Sequence, residues 1–398
     1  MNKSILLLLI ILASCSKNDF VVEDVPFSFG ENNAQPNLVS NGDNLTLSWI
    51  SSVEDSNANL FYSEYKDDKW SVPTSIASGS DWFVNWADFP AHAVNENLIL
   101  TSYLKKSDSG TYNYDIFLNL ETLSGKIKKN FLLNTDGIKA EHGFVSMIPS
   151  NDKGFFITWL DGRNTVDDSK DNHHKAMTIR FAEITSMGNI INEVELDATT
   201  CDCCQTSIAK TPEGPIVVYR NRSENEIRDI YISRFRNNTW EKPRAVHNDG
   251  WEINGCPVNG PKVVVNSSNT AVAWFTAAEG KPKVNISFST SNEADFKSPI
   301  QLNDFDAIGR VDVAFLNSSE VLVSYMELDE FGTYLKIKKV SVDGKVSKAK
   351  TIAVIDGGRN TGVPQLEIMK ENIFLVWTTS VDGKNQLKSV KLNSKSFY

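Results

Sequence analysis

Phe155-Phe156-Ile157-Thr158-Trp159 and Ile373-Phe374-Leu375-Val376-Trp377 are short apolar runs, each closed by a large aromatic residue. Comparable runs end at Trp49, Tyr103, Tyr219, Trp274 and Tyr325, so seven aromatics recur at intervals of 51 to 60 residues. The runs are rich in β-branched and aromatic residues, are too short for helices, and lack a 3.6-residue periodicity. A period of this order filled with short strands is the pattern of propeller blades, each a small sheet of four strands. The chain is therefore predicted to be all-β, a β-propeller with seven blades favoured and six plus a cap as the alternative count.

The fourth repeat shows the internal grammar. Gln205 to Ala209, Pro215 to Tyr219, Arg228 to Phe235 and Arg244 to His247 read as strands, separated by turn formers at Thr211-Pro212-Glu213-Gly214 and Asn237-Asn238. The last repeat runs out of chain after its third strand, Leu387 to Leu392. A fourth must come from elsewhere, and Phe20 to Phe29 is the segment expected to supply it, closing the ring and covering two sheet edges.

The first residues serve another purpose. Lys3 precedes an apolar run, Ile5 to Leu12, which is too short to span a bilayer and reads as a cleaved signal. Leu12-Ala13-Ser14-Cys15 resembles the lipobox of bacterial lipoproteins. That resemblance implies lipidation of Cys15, and Ser16 after it implies an outer-membrane address, periplasmic or surface-exposed. The expected organisation is a signal peptide over 1–14, a lipid-anchored tether and closing strand over 15–36, and one propeller domain over 37–398.

The 398 residues are 41% hydrophobic and 23% charged with a net charge of -10, enough apolar sequence for a large core. No basic run is available to neutralise phosphates, which excludes nucleic acid as a partner. The membrane is expected to be met through the lipid anchor alone, and the protein is expected to be a monomer.

Apart from Cys15, the cysteines are Cys201, Cys203, Cys204 and Cys256. Cys201 lies 18 residues before Tyr219 and Cys256 lies 18 before Trp274, so the two occupy equivalent positions on neighbouring repeats. Residues at this register lead into the innermost strand and should crowd the mouth of the central channel. The same stretch holds Trp86, Asp88, His92, Glu141, His142, Asn259, Arg310, Asp312, Arg359 and Asn360, and such polar convergence marks a candidate site.

Two readings of the cysteines stand side by side. Outside the cytoplasm a disulfide between Cys201 and Cys256 would tie the fourth repeat to the fifth. Alternatively, Cys203, Cys204 and Cys256 with His142 or His92 would hold copper(I) or zinc, ions that favour thiolate and imidazole. Asp161 and Arg163 are expected to pair across a turn, and Arg228 and Asp229 to form a strand-edge ion pair. The run Asp167 to His174 reads as a solvated insertion.

Two further segments carry a resemblance. Tyr62-Ser63-Glu64-Tyr65-Lys66-Asp67-Asp68-Lys69-Trp70 and Ser233-Arg234-Phe235-Arg236-Asn237-Asn238-Thr239-Trp240 resemble degenerate Asp-boxes, the hairpin repeat of sialidase-like propellers. Tyr219-Arg220-Asn221-Arg222 and Ile227-Arg228-Asp229-Ile230 are similar to segments of proteins labelled sialidase-family. The resemblance implies an arginine clamp on a sugar carboxylate, a tyrosine nucleophile backed by a glutamate, and an aspartic acid as proton donor. A guanidinium suits the clamp because it grips a carboxylate with two parallel hydrogen bonds. Asp88, Arg310, Arg359 and Arg220 are the candidate catalytic residues, with Trp86, His92, His142, Arg163, Arg222 and Asn259 as candidate substrate contacts. The tyrosine and glutamate have no assignment from sequence. Three function classes follow: a glycan-active enzyme, a noncatalytic module that captures a glycan or an envelope protein, and a metal-handling or redox lipoprotein.

Overall fold

The computed structural model describes residues 20–52, 57–123, 128–166, 176–290 and 295–398. Cys15 with its lipobox-like stretch and the run Asp167 to His174 lie outside them. The described chain forms seven small antiparallel sheets, in chain order blade 1 (33–79), blade 2 (92–132), blade 3 (142–200), blade 4 (207–245), blade 5 (262–301), blade 6 (306–354) and blade 7 (365–393). This is the seven-bladed propeller that the aromatic repeat predicts.

Each repeated aromatic sits on the second strand of its blade and is buried. These strands are packed against neighbouring blades on both faces, so burial is continuous rather than alternating: all seven residues of Thr270–Thr276 and all six of Pro215–Arg220 are buried. That is why they read as unbroken apolar runs. The aromatics also have polar tips, and in six of the seven blades the tip has a hydrogen-bond partner. Trp49 Nε1 donates to Asn33 Oδ1 at 3.0 Å, Tyr219 donates to Asp197 Oδ2 at 2.6 Å and Trp274 Nε1 to Asp249 Oδ2 at 2.7 Å.

Closure follows the sequence expectation. Glu23–Asp24 pairs antiparallel with Lys384–Asn393, Glu23 opposite Lys391 and Asp24 opposite Val390. The Val25 N–H continues to the Ser389 carbonyl at 2.8 Å. Val25 is buried, and Phe27 meets Trp49 edge-on at 4.9 Å, so the segment also links blade 7 to blade 1. The two Asp-box-like stretches are hairpins whose tips, Asp67-Asp68 and Asn237-Asn238, adopt positive φ at both positions, the geometry of a two-residue turn matched to strand twist.

Deleting residues 20–29 should replace one sharp thermal transition by a broad one at lower temperature, because blade 7 loses its outer strand. Val25→Ala alone should cost about 2 kcal/mol, the transfer and cavity terms for two buried carbons. Calorimetry of both variants checks this; a deletion variant that melts like the intact chain refutes the closure.

Candidate functional site

The loops leading into the innermost strands meet over the channel as the register argument requires. Residues 85–88, ahead of blade 2, reach across the axis. The Trp86 ring lies 4.8 Å from the Arg310 guanidinium of blade 6, and the Ala87 carbonyl accepts from Nε2 of Gln205, just ahead of blade 4, at 2.8 Å. Gln205 Oε1 in turn accepts from Gly260 N ahead of blade 5 at 3.0 Å. Within the ring of innermost strands is a cavity of about 230 Å³, bordered by Asp88, Lys262, Asp312, Gln365 and Glu367 among others. Burial, followed by the neighbouring Asp312, pushes the Glu367 carboxyl up to about 8.

The arginines gather as expected but with their donors already engaged. Arg310 gives Nη1 to the carbonyls of Gly358 and Gly362, both at 2.9 Å, and burial pushes it down to about 10. Arg220 donates to the carbonyls of Asn259, Arg228 and Phe275 and stacks on Trp251, riveting blade 4 to blade 5. Arg163 grips Asp161 with two hydrogen bonds of 2.8 and 2.7 Å, the pairing across a turn that the sequence suggests. Arg222 is held by Glu226 and Asp202. Arg359 is exposed on the short turn 359–361. Arg310, Arg220 and Arg163 therefore act as braces, since a guanidinium that already satisfies buried carbonyls or a carboxylate has no fork to offer a sugar acid.

Two more candidates are braces. His92 is buried between Thr46 Oγ1 at 2.8 Å and Ser48 Oγ at 2.9 Å, and burial pushes it down to about 3, so it is neutral. Asn259 uses its side chain on Arg310 N at 2.7 Å and on the carbonyls of Pro257 and Ile308. The Arg228–Asp229 ion pair does not form. Arg228 turns to Glu226 at 2.7 Å, whereas Asp229 accepts from the N–H groups of Gly250 and Trp251.

Asp88 has a different setting. Its Oδ1 accepts from Phe144 N at 2.6 Å, and its Oδ2 lies 3.1 Å from the Tyr114 hydroxyl. The same hydroxyl is 2.7 Å from Glu141 Oε1. Burial pushes Asp88 up to about 8 and Glu141 up to about 7, the latter also through the charge of Asp202. Asp88 and Tyr114 are buried, while Glu141 is partly exposed on the rim. Glu141 carries the mouth register in the sequence. Tyr114 does not stand out there, because it opens the third strand of blade 2 like any core tyrosine and meets Glu141 only through the packing of blade 2 on blade 3.

The cysteines divide otherwise than expected. All four described cysteines are free, and Cys201 neighbours Cys204 with 2.9 Å between sulfurs and Cys203 with 3.8 Å. Cys256 is exposed and outside this group, so neither the Cys201–Cys256 disulfide nor a ligand set containing Cys256 forms. Equivalent register places Cys201 and Cys256 on the same rim but on blades that diverge from the axis. Burial opposes ionisation of Cys201, but hydrogen bonds from Cys203 and Cys204 and the charge of Arg220 outweigh it and hold the thiol well below its usual range. Arg228 Nη1 lies 3.3 Å from that sulfur. Three sulfurs mutually within 4.8 Å suit copper(I) or zinc. His142 is not among them and sits instead among carboxylates, with Asp136 and Asp161.

No protein-family model and no curated protein matches the chain. Its fold does have solved counterparts. An ulvan lyase, a polysaccharide lyase captured with a GlcA-containing saccharide, aligns at TM-score 0.57 and 11% identity over 94% of this chain and 96% of its own. A protein of unknown function from Dyadobacter fermentans aligns at 0.52 and 14% over 93% and 98%. A Trypanosoma rangeli sialidase reaches only 0.45 at 10% identity, over 95% of this chain and 57% of its own. At these identities the likeness establishes the propeller fold alone.

The raised Asp88 carboxyl has a measurable consequence. A group protonated in the folded chain but ionised in the unfolded one stabilises at low pH, and that contribution is lost as pH rises towards the folded value of about 8. Melting temperature should therefore fall between about pH 5 and pH 8, and Asp88→Asn should make the fall shallower, leaving a residual slope from Glu141 and Glu367. An Asp88→Asn profile parallel to the wild type would show that Asp88 is ionised in the fold.

Proposed function

We propose that this is a lipid-anchored propeller of the bacterial outer membrane that binds an acidic glycan at the rim above blades 2 to 4 and exchanges a proton with it through Glu141. The observation that carries the reading is the Tyr114 hydroxyl placed between Asp88 and Glu141. One hydroxyl proton can be donated to only one of the two carboxyl groups. The other contact needs a proton of its own, so the three groups hold one at neutral pH, in keeping with the raised carboxyls.

Asp88 keeps that proton and donates it to the tyrosine oxygen, and Tyr114 donates to Glu141. Glu141 is thereby a base near neutrality at the accessible end of a short relay, the condition for efficient proton transfer in either hydrolysis or elimination of a glycosidic bond. The three residue types are those that the sialidase resemblance implies, but the roles differ, because Tyr114 is wholly buried and passes a proton instead of serving as nucleophile. Arg222 lies on the same rim, but its guanidinium is engaged by Glu226 and Asp202, so a sugar carboxylate would have to take the place of one of them. The saccharide-bound lyase shows that the fold accommodates uronate-containing polymers in another protein.

The test is turnover of a fluorogenic sialoside and of uronate-containing polysaccharides, alongside binding on a glycan array. Glu141→Gln should lower kcat/KM by about 10²- to 10⁴-fold with binding retained. Array binding without turnover reduces the reading to a capture module, and absence of both overturns it.

A second reading rests on the three converged sulfurs: a soft-metal site for copper(I) or zinc built from Cys201, Cys203 and Cys204, with Arg220 and Arg228 offsetting the thiolate charge. Copper(I) retained against a chelator should be lost in Cys204→Ser and kept in Cys256→Ser. Loss in both would return Cys256 to the ligand set.

A further inference from the structure

His142 is wholly buried, and each of its ring nitrogens faces acceptors alone. Nδ1 lies 3.2 Å from the Tyr114 carbonyl and 3.6 Å from Asp115 Oδ1, so that nitrogen carries the hydrogen. Nε2 lies 3.3 Å from Asp136 Oδ2 and 3.6 Å from Asp161 Oδ1, and it makes no hydrogen bond; nor does Asp136 Oδ2. A neutral imidazole with its hydrogen on Nδ1 turns a lone pair towards two carboxylates. Something positive belongs between them.

We propose that His142, Asp136 and Asp161 form a divalent-metal site, distinct from the cysteine group, that takes an ion with mixed nitrogen and oxygen preference such as manganese or zinc. Spacing favours an ion over a proton. A charge-assisted hydrogen bond would draw nitrogen and oxygen to about 2.7–2.9 Å. Ligands sharing one ion at about 2.0–2.2 Å stand about 3 Å apart at right angles and about 3.3–3.6 Å apart at tetrahedral angles, so the separations of 3.3 and 3.6 Å found here need little adjustment to receive manganese or zinc.

The donors are also held in place from behind, as metal ligands are. The Tyr114 carbonyl fixes the imidazole, Ile138 N holds Asp136 Oδ1 at 2.7 Å, and Trp159 Nε1 holds Asp161 Oδ2 at 2.9 Å. Arg163 is the competing cation: its backbone N–H and Nε both donate to Asp161 Oδ1, at 3.1 and 2.8 Å, its Nη2 takes Oδ2 and lies 3.3 Å from Asp136 Oδ2, so an ion must displace the Arg163 side chain from Oδ1. Its single charge is set against Asp115, Asp136 and Asp161 and is shared with Glu193 at 3.3 Å, which in turn binds Arg180. Arg163 approaches from the rim, where it is partly exposed, and leaves the His142 Nε2 lone pair unmatched. Because Glu141 precedes His142 and Tyr114 supplies the carbonyl on Nδ1, an ion here would fix the backbone that carries both groups.

The probe is manganese(II) alone, which thiolates bind poorly, added to chelator-treated full-length protein. One equivalent should bind, and pulsed electron paramagnetic resonance should detect a directly coordinated imidazole nitrogen. Asp136→Asn, at a partly exposed residue outside the strands, should weaken binding at least tenfold while Cys204→Ser leaves it unchanged. The nitrogen coupling in wild-type protein tests the site even if a variant does not fold. Absence of bound manganese at millimolar concentration, manganese without nitrogen coupling, or unchanged affinity in folded Asp136→Asn would each overturn the proposal.

Discussion

The innermost strands of neighbouring blades diverge from the axis and do not share a backbone ladder, so the ring depends on side chains to join them. Every junction has such a stitch. Asn37 accepts from His92 N, Asn95 donates to the carbonyls of Ser150 and Gly154, Ser146 meets Thr206, and Ser207 accepts from Val263 N. Asn259 accepts from Arg310 N, Asp312 from Leu366 N, and Ser40 donates to the Ile368 carbonyl. All but the Ser146–Thr206 contact engage a backbone group, and a buried group of that kind left without a partner costs about 1–3 kcal/mol. The outer closure by residues 23–25 is the backbone counterpart of the same requirement.

This constraint explains why polar residues at the mouth register are ambiguous. A side chain placed to reach the next blade is also placed to reach a ligand on the axis. Arg220 and Arg310 resolve the ambiguity as braces because several carbonyls converge on each guanidinium. Asp88 serves both ends: one oxygen is a stitch to Phe144 N, and the other is left to Tyr114. Carboxylates used as stitches carry an electrostatic consequence, since burial raises Asp88, Asp312 and Glu367 together around the same cavity.

The fold was legible in the sequence to a degree the site was not, and the reason is physical. Trp49 and its six counterparts mark strands by local composition, and the missing last strand can be inferred from the count alone. Asp161 and Arg163 are two residues apart, so their pairing is a local matter. By contrast, Tyr114 and Glu141 belong to different blades, and their contact depends on how those blades pack. The cysteine partners escape the register argument for a related reason. Equal register places Cys201 and Cys256 at the same height on the ring, but neighbouring blades are rotated apart, and Cys204, three residues from Cys201, is the nearer sulfur.

The rim is not equivalent around its circumference. Above blades 5 to 7 the central polar groups are largely consumed by Arg310, Asn259 and the carbonyls they bind. Above blades 2 to 4 lie a tyrosine hydroxyl placed between two carboxyl groups, a thiol held below its usual range, and a histidine whose second nitrogen lacks a hydrogen-bond partner. A structural brace tends towards complete satisfaction, because each unmet buried group weakens the fold without return. Beside the partly exposed Glu141, His142 Nε2 and Asp136 Oδ2 are left without a hydrogen-bond partner, which is what the proposed ion site rests on.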